Sequence, residues 1–291
     1  MAFSTSEDAY GEPRRTVIPS PESMPPDELT RLGLIDDDDI IVDEAAMLMA
    51  QLDHVGEDLT PYRAAIVSVA ERLRIVGAGM VHAHQQAAAL LQVLAGEFGF
   101  VGESVTESDP AAADLSRVLE RRRGLPVSLC VIYVGAARRV GWHAHVLDVS
   151  GHVLAIVGSD ANPVVIDPSA AGVRLLGGQF GTLSSAANSG DANAMSYVTA
   201  VSNREVLVRL LLHQATCAEQ AGKGRRAFEL YSRSSILAPA YSRIWLKRAR
   251  FEFEKDDIIS ARSSLIAVLE TTREPTLRCR VLDMLDEISA S

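Results

Sequence analysis

An apolar segment runs from Pro126 to Gly141 and narrows the choice of fold. Apolar residues lie on nearly every side of a helix drawn through it, and such a helix is normally buried all round. Three short segments rich in valine and isoleucine follow at 143–151, 152–158 and 163–169, punctuated by Gly, Asn and Pro. This pattern predicts three short strands. A buried helix followed by an antiparallel meander indicates an α+β fold.

Three residues in this region have the order of a thiol-enzyme triad: Cys130, His152 and Asp167. A thiol nucleophile works at a helix N-terminus, where unsatisfied N–H groups lower its pKa and cradle an oxyanion. A histidine then removes the thiol proton, and an aspartate fixes the imidazole tautomer. His152 and Asp167 lie on consecutive predicted strands, so we expect their side chains to face each other within hydrogen-bond distance. The alternative is a structural His–Asp pair with no nucleophile to activate.

The register of the helix decides whether Cys130 is a nucleophile or core packing. If Pro126 is the first helical residue, Cys130 is the fifth and lies beyond the turn in which the helix dipole acts. Free cysteine is also among the most buried residue types. If Ser128 is instead the N-cap, Cys130 is the second helical residue and its thiol lies in the first turn. Ser128 is itself a candidate nucleophile, with capping or core polarity as the alternative. Because the helix is apolar nearly all round, we predict that Cys130 points into the core.

Two further polar patterns are explained without a metal. His143 and His145 alternate along a strand and therefore share a face, but no carboxylate or third histidine is evident near them. The acidic run at 36–39 approaches a helix, and Asp43 lies near the N-terminal end of that helix, where the dipole favours negative charge. Charge runs of this kind are usually solvated. We therefore expect no metal and no cofactor.

The chain divides into five predicted parts. In order, they are a disordered tail (1–27), an N-terminal helical part of the core (28–101), the α+β core (102–180), a linker (181–202) and helical repeats (203–291). The tail is rich in Pro and the linker in Gly, Ser and Ala, compositions that favour disorder and loops. Within the second part, helical periodicity marks 43–53, 61–76 and 82–98.

The last part carries a repeat with a period of 34 residues. Leu211 and Trp245 are one period apart, as are Ala227 and Ala261. This is the period of the tetratricopeptide repeat, which places a small residue where paired helices cross. We predict paired antiparallel helices, capped by a final helix over 276–288. A plain helical bundle is the alternative.

Charge and cysteine content exclude several classes of function. The 291-residue chain has a formal net charge of −10 and a pI of about 5.2, whereas nucleic-acid binding needs a clustered basic face. The three cysteines, Cys130, Cys217 and Cys279, are widely spaced, which indicates neither a disulfide framework nor a zinc site. Reduced thiols fit the cytoplasm, and no segment approaches the ~20 apolar residues of a membrane span. We expect a soluble cytoplasmic protein that binds neither nucleic acid nor a membrane.

Several motifs are similar to those of the SirB-type family of bacterial proteins. The most specific is LSRVLERRRGLPVSL at 115–129, and GHVLAIV at 151–157 with VVIDPSAAG at 164–172 completes the set. The resemblance covers about residues 40–270. It implies a transglutaminase-like, papain-like core with N-terminal helices, joined to all-α tetratricopeptide-like helices. Cys130 is not part of the family's motif.

Two functions follow from these patterns. The first is a non-catalytic or weakly catalytic, regulatory module that binds a protein or peptide partner through its helical repeats. The second is a cysteine-dependent amidase or peptidase that uses Cys130, His152 and Asp167. The reaction of Cys130 with iodoacetamide at neutral pH separates the two, and the sequence leaves the oligomeric state open.

Overall fold

The computed structural model describes residues 27–102, 109–149, 151–158, 163–170, 173–175 and 198–290. Nearly all of the predicted tail, and the predicted linker up to residue 197, lie outside the described residues. The helices are α1 (Glu28–Leu34), α2 (Val42–Asp53), α3 (Thr60–Val76), α4 (Ala83–Leu90), α5 (Leu115–Arg121), α6 (Pro126–Arg139), α7 (Asn203–Gln220), α8 (Gly224–Leu237), α9 (Ser242–Glu254), α10 (Ile258–Thr271) and α11 (Pro275–Ala290). The strands are β1 (Val101–Gly102), β2 (Arg123–Gly124), β3 (Ala144–Val149), β4 (His152–Val157), β5 (Val164–Asp167), β6 (Val173–Leu175) and β7 (Val198–Val201).

The apolar helix α6 lies at the centre of the larger core. Eleven of its residues are buried, and it packs against α2, α3, β3 and β4. Gly135 permits the close approach of α2, because a Cβ at this position would lie 2.8 Å from the carboxylate carbon of Asp43. Asp43 lies in the first turn of α2, as predicted, but its carboxylate is buried and accepts a hydrogen bond from Arg139 at 2.6 Å. This pair therefore ties α2 to the C-terminal end of α6.

The three predicted strands form the middle of a five-stranded antiparallel sheet with the order β6-β5-β4-β3-β7. In the register of β3 and β4, Ala144 pairs with Val157 and Val149 pairs with His152. Alternate residues of these strands, such as Ala155, belong to the same apolar cluster as α6. The sheet thus sets the C-terminal end of β5 and the N-terminal end of β4 beside the start of α6.

The strand β7 corrects the predicted linker, which was expected to extend to residue 202. Val198–Val201 instead pairs antiparallel with β3, from Val146↔Val201 to Val149↔Val198. The physical reason is that β3 would otherwise have an open edge, and the sequence VTAV has the β-branched residues that fit such an edge.

The core also extends past the predicted boundary at residue 203. Asp37, from the acidic run, accepts backbone hydrogen bonds from Asn203 at 2.9 Å and Arg204 at 2.8 Å, at the start of α7. A carboxylate in this position stabilises a helix N-terminus. Leu207 and Leu211 of α7 are then buried in the same cluster as α6. The first C-terminal helix is therefore part of the core, because its apolar face packs there.

The C-terminal helices form hairpins, α7 with α8 and α9 with α10, and α11 packs on α10. Ala227 in α8 and Ala261 in α10 are both fully buried. A small apolar cluster separate from the main core holds the last three helices together and contains Ala249, Leu265, Val268 and Val281. None of the helices in the described part of the chain has both the length and the hydropathy that crossing a bilayer requires.

Candidate functional site

A cavity of about 270 Å³ opens where α6 begins. Its wall includes Pro126 and Val127 of α6, His152 of β4, Asp167 of β5, and Arg209 and His213 of α7. The cavity therefore brings together the helix N-terminus, the histidine and the aspartate that the sequence singles out. Cys130, the third predicted member, does not line it.

The start of α6 decides which side chain occupies the position of a nucleophile. The helix begins at Pro126, after Leu125 in an extended conformation. This corrects the register in which Ser128 is the N-cap. The Ser128 hydroxyl is buried and donates to the carbonyl oxygen of Ala112 at 2.7 Å. The first-turn residues in the cavity wall are Pro126 and Val127, and neither side chain carries a nucleophilic atom.

Cys130 lies in the core one turn deeper, with no exposed surface. Burial raises the pKa of its thiol, and the charge of Asp167 raises it further. Tyr133 lies on the next turn, where burial likewise raises the pKa of its hydroxyl, which donates to the carbonyl oxygen of Phe100 at 3.3 Å. The environment of this face of α6 therefore favours the neutral thiol over the thiolate.

His152 and Asp167 share the cavity, but no hydrogen bond joins these two described side chains. Asp167 Oδ1 instead accepts hydrogen bonds from the backbone N of Ser169 at 2.9 Å, its Oγ at 2.5 Å, and the backbone N of Ala170 at 3.2 Å. The sheet register explains the difference from the expectation. Ala155 of β4 pairs with Ile166 of β5. In this antiparallel register, the residue opposite Asp167 comes directly before Ala155, and His152 lies two positions further toward the start of β4. His152 is exposed at the mouth of the cavity.

The helix α7 adds two side chains that the sequence does not mark as site residues, Arg209 and His213. Arg209 pairs with Asp148 at 2.6 Å and with Glu205 at 2.7 Å. His213 Nε2 lies 3.1 Å from the carbonyl oxygen of Asp109. Glu205, Arg209 and His213 follow one another at intervals of four residues. This polar stripe is the signal in the sequence that marks the face of α7 turned toward the cavity.

A second buried thiol, Cys217, lies one turn after His213, with its Sγ 3.5 Å from His213 Nε2. Burial raises the pKa of this thiol, and the charge of Asp109 adds to the effect. The same imidazole nitrogen lies within hydrogen-bond distance of the Asp109 carbonyl, which only an N–H can satisfy. The nitrogen that carries this proton cannot accept another from the thiol. Cys279, in contrast, is exposed on α11.

His145 of β3 and His143, which precedes that strand, lie away from this cavity. Within the ranges that the structure describes, no group of three or more His, Cys, Asp or Glu side chains is placed to hold a metal ion. A guanidinium nitrogen of Arg138 lies 3.3 Å from His145 Nδ1. Burial, together with the charges of Arg138 and His143, lowers the pKa of His145. A fixed cation at this distance opposes the binding of a second one.

These features define an α+β domain with its site at the start of a buried helix, next to a histidine and an aspartate from neighbouring strands. The model of the transglutaminase-like superfamily matches residues 60–212, just over half of the chain. The chain therefore belongs to the transglutaminase-like superfamily. The match extends from α3 into α7, in agreement with the packing of α7 in the core.

Two curated relatives, both named UPF0162 protein, come from the Temecula1 and 9a5c strains of Xylella fastidiosa. Each is 30% identical over 137 residues, which is 47% of this chain and 49% of the relative. The chain thus spans about half the length of the curated relatives that it matches. A solved structure of menin aligns over 82% of this chain and 67% of menin, with 11% identity and a TM-score of 0.35. This score is too low to indicate a shared fold.

Proposed function

We propose that this chain is a non-catalytic or weakly catalytic interaction module, in which a degenerate transglutaminase-like core is joined to tetratricopeptide-like helical repeats. The observation that carries the proposal is the wall of the cavity at the start of α6. Pro126 and Val127 occupy the first turn, while the thiol of Cys130 is buried and held neutral. His152 and Asp167 are thus the histidine and the aspartate of a thiol-enzyme triad whose nucleophile does not reach the cavity.

The helical part supports the interaction role. A shift of 34 residues carries α7 onto α9 and α8 onto α10, and the two equivalent alanines, Ala227 and Ala261, are both fully buried. Tetratricopeptide arrays use such stacked hairpins to present a concave surface to a protein or peptide. The SirB-type resemblance implies the same joining of a transglutaminase-like core to such helices. We place the protein in the cytoplasm on the basis of its reduced, widely spaced cysteines.

Site-resolved alkylation tests the proposal. The native protein is treated with iodoacetamide at pH 7.5, and each cysteine is quantified by mass spectrometry. We expect rapid labelling of the exposed Cys279 and labelling of Cys130 only after unfolding in guanidinium chloride. The alternative, an amidase or peptidase that uses Cys130, His152 and Asp167, requires the opposite result. Fast native labelling of Cys130 that slows in His152→Ala would overturn the proposal and assign a thiol enzyme.

A further inference from the structure

A groove of about 680 Å³ separates α9 from α11 in the C-terminal stack. The lining residues of α9 follow a stripe with the spacing of one helix face: Arg243, Leu246, Lys247, Arg250, Phe253 and Glu254. Leu277, Arg280 and Met284 form the corresponding stripe on α11. The twelve residues from Arg243 to Glu254 span ~18 Å at 1.5 Å per residue, which is about three helical turns.

The floor of the groove is apolar. Leu246, Phe253, Leu277 and Met284 are half-buried, and they pack on the small cluster that holds the last three helices together. Their inner surfaces are therefore fixed by packing, while their outer surfaces remain available. An apolar trough between two helices is the shape that receives the apolar face of a third helix.

The rim of the groove is basic. Arg243, Lys247, Arg250 and Arg280 face only two lining carboxylates, those of Glu254 and Glu274. This excess of positive charge stands out on a chain whose net charge is −10. Such a patch attracts a negatively charged partner and steers its approach.

The four cations are not equally available. Lys247 and Arg250 both pair with Glu219 of α7, at 3.5 and 2.9 Å. Arg243 and Arg280 are exposed and have no ion-pair partner among the residues that the structure describes. These two arginines come from the two opposite helices of the groove. A ligand that bridges them must carry negative charge on both of its sides.

We propose that this groove binds an acidic amphipathic helix of a partner protein, with apolar residues on the floor and carboxylates against Arg243 and Arg280. The inference rests on the proposed interaction function and names the class of partner. The spacing of the α9 stripe favours a helix with apolar anchors at i, i+3, i+4 and i+7. The overall negative charge of the chain opposes a nucleic acid in this position.

The test selects binders from a displayed library of random peptides of about 18 residues, using the full chain as bait. Enriched peptides are then synthesised, and their affinities are measured by fluorescence anisotropy. The groove variant is the double substitution Arg243→Glu/Arg280→Glu. Its matched control is Arg225→Glu/Arg262→Glu, because both arginines are exposed, lie outside the groove, and have no described ion pair.

We expect enrichment of peptides with Asp or Glu beside apolar residues at helical spacing. Their Kd should rise about tenfold or more for the groove variant and stay unchanged for the control. Peptides in which Lys replaces Glu should regain affinity for the groove variant. The proposal is overturned if no peptide is enriched, if neutral or basic peptides prevail, or if the groove variant binds equally well.

Vesicles of phosphatidylserine and phosphatidylcholine serve as the competing probe. Retention of the wild type but not of the groove variant on these vesicles, without selection of acidic peptides, would assign the groove to a membrane surface and overturn the proposal. A negative result for the groove is distinguishable from a negative result for the proposed function. The proposed function fails if Cys130 is labelled in the native protein, and Cys130 is far from the groove in sequence and belongs to a different apolar cluster.

Discussion

The helices α6 and α9 have nearly the same length and opposite surroundings. In α6, eleven of fourteen residues are buried, whereas in α9 only Ile244, Ala249, Phe251 and Glu252 are buried among thirteen. The first helix is enclosed along its length by the sheet and by α2 and α3, so it meets cavities only near its ends, at Pro126 and Val127 and again at Arg138 and Arg139. The second keeps a basic stripe with no covering element among the described residues. The buried helix α6 therefore contributes mainly to the stability of the core, whereas α9 offers a surface that a partner can reach.

The largest loss of stability is expected when a core side chain of α6 is removed. Leu129→Ala should lower the free energy of unfolding by about 3 kcal/mol, because Leu129 is fully buried and its removal leaves a cavity. The matched control is Leu246→Ala in α9, where a half-buried leucine should cost about 1 kcal/mol. Urea denaturation measures both values. Equal losses in the two variants would show that α9 is as enclosed as α6.

The next effect tests the packing inside the C-terminal stack. Ala261→Trp should destabilise the protein by about 1–3 kcal/mol, because Ala261 is fully buried and a large side chain overpacks the site. Its neighbour Arg262 is exposed, so Arg262→Trp should change stability by less than about 0.5 kcal/mol. Both are read from denaturant midpoints. A harmless Ala261→Trp would contradict the close helix crossing that the 34-residue period predicts.

The elements that the sequence predicts are those that depend on local patterns. The all-round apolar character of 126–141 predicts a buried helix, and the three valine-rich segments predict strands that the structure contains. The strand β7 and the docking of α7 depend on partners far away along the chain. Asp37 and Asn203, for example, are 166 residues apart. No local pattern carries such a contact.

The same distinction holds within the candidate site. That His152 and Asp167 line one cavity follows from their positions on neighbouring strands. Their lack of a direct hydrogen bond follows from the register of β4 on β5, which pairs Ala155 with Ile166. The register depends on the whole sheet, so a spacing of fifteen residues cannot specify it. Arg209 and His213 enter the site only because α7 packs on the core.

A smaller effect on the free energy of unfolding is expected at alkaline pH, and it is specific to the buried thiol of Cys130. Burial holds Cys130 protonated in the folded protein, whereas in the unfolded chain the thiol ionises near its ordinary pKa of 9.0. Between pH 9 and 10 the unfolded state therefore binds fewer protons, and the free energy of unfolding falls as the pH rises. The contribution of Cys130 to this slope is about 1.4 kcal/mol per pH unit at most, about half of that at pH 9, and negligible below about pH 8.

Denaturation curves at pH 8, 9 and 10 for the wild type and Cys130→Ala measure this contribution. The variant should be less stable at pH 8 but should lose less stability between pH 9 and 10. Cys279→Ala is the matched control, because Cys279 is exposed, and it should keep the slope of the wild type. Parallel curves for Cys130→Ala and the wild type would show that the Cys130 thiol reaches solvent in the folded state.

The smallest effect expected is at the exposed mouth of the cavity. His152→Ala should change the free energy of unfolding by less than about 0.5 kcal/mol, because His152 is exposed and makes no hydrogen bond to Asp167. Asp167→Ala is the contrasting variant. It removes the acceptor of three hydrogen bonds from Ser169 and Ala170, and it should cost about 1–3 kcal/mol. Thermal and urea unfolding of both variants measure the difference. A loss above about 1 kcal/mol in His152→Ala would show that this histidine supports the Asp167 carboxylate directly, and it would restore the paired arrangement that a catalytic site requires.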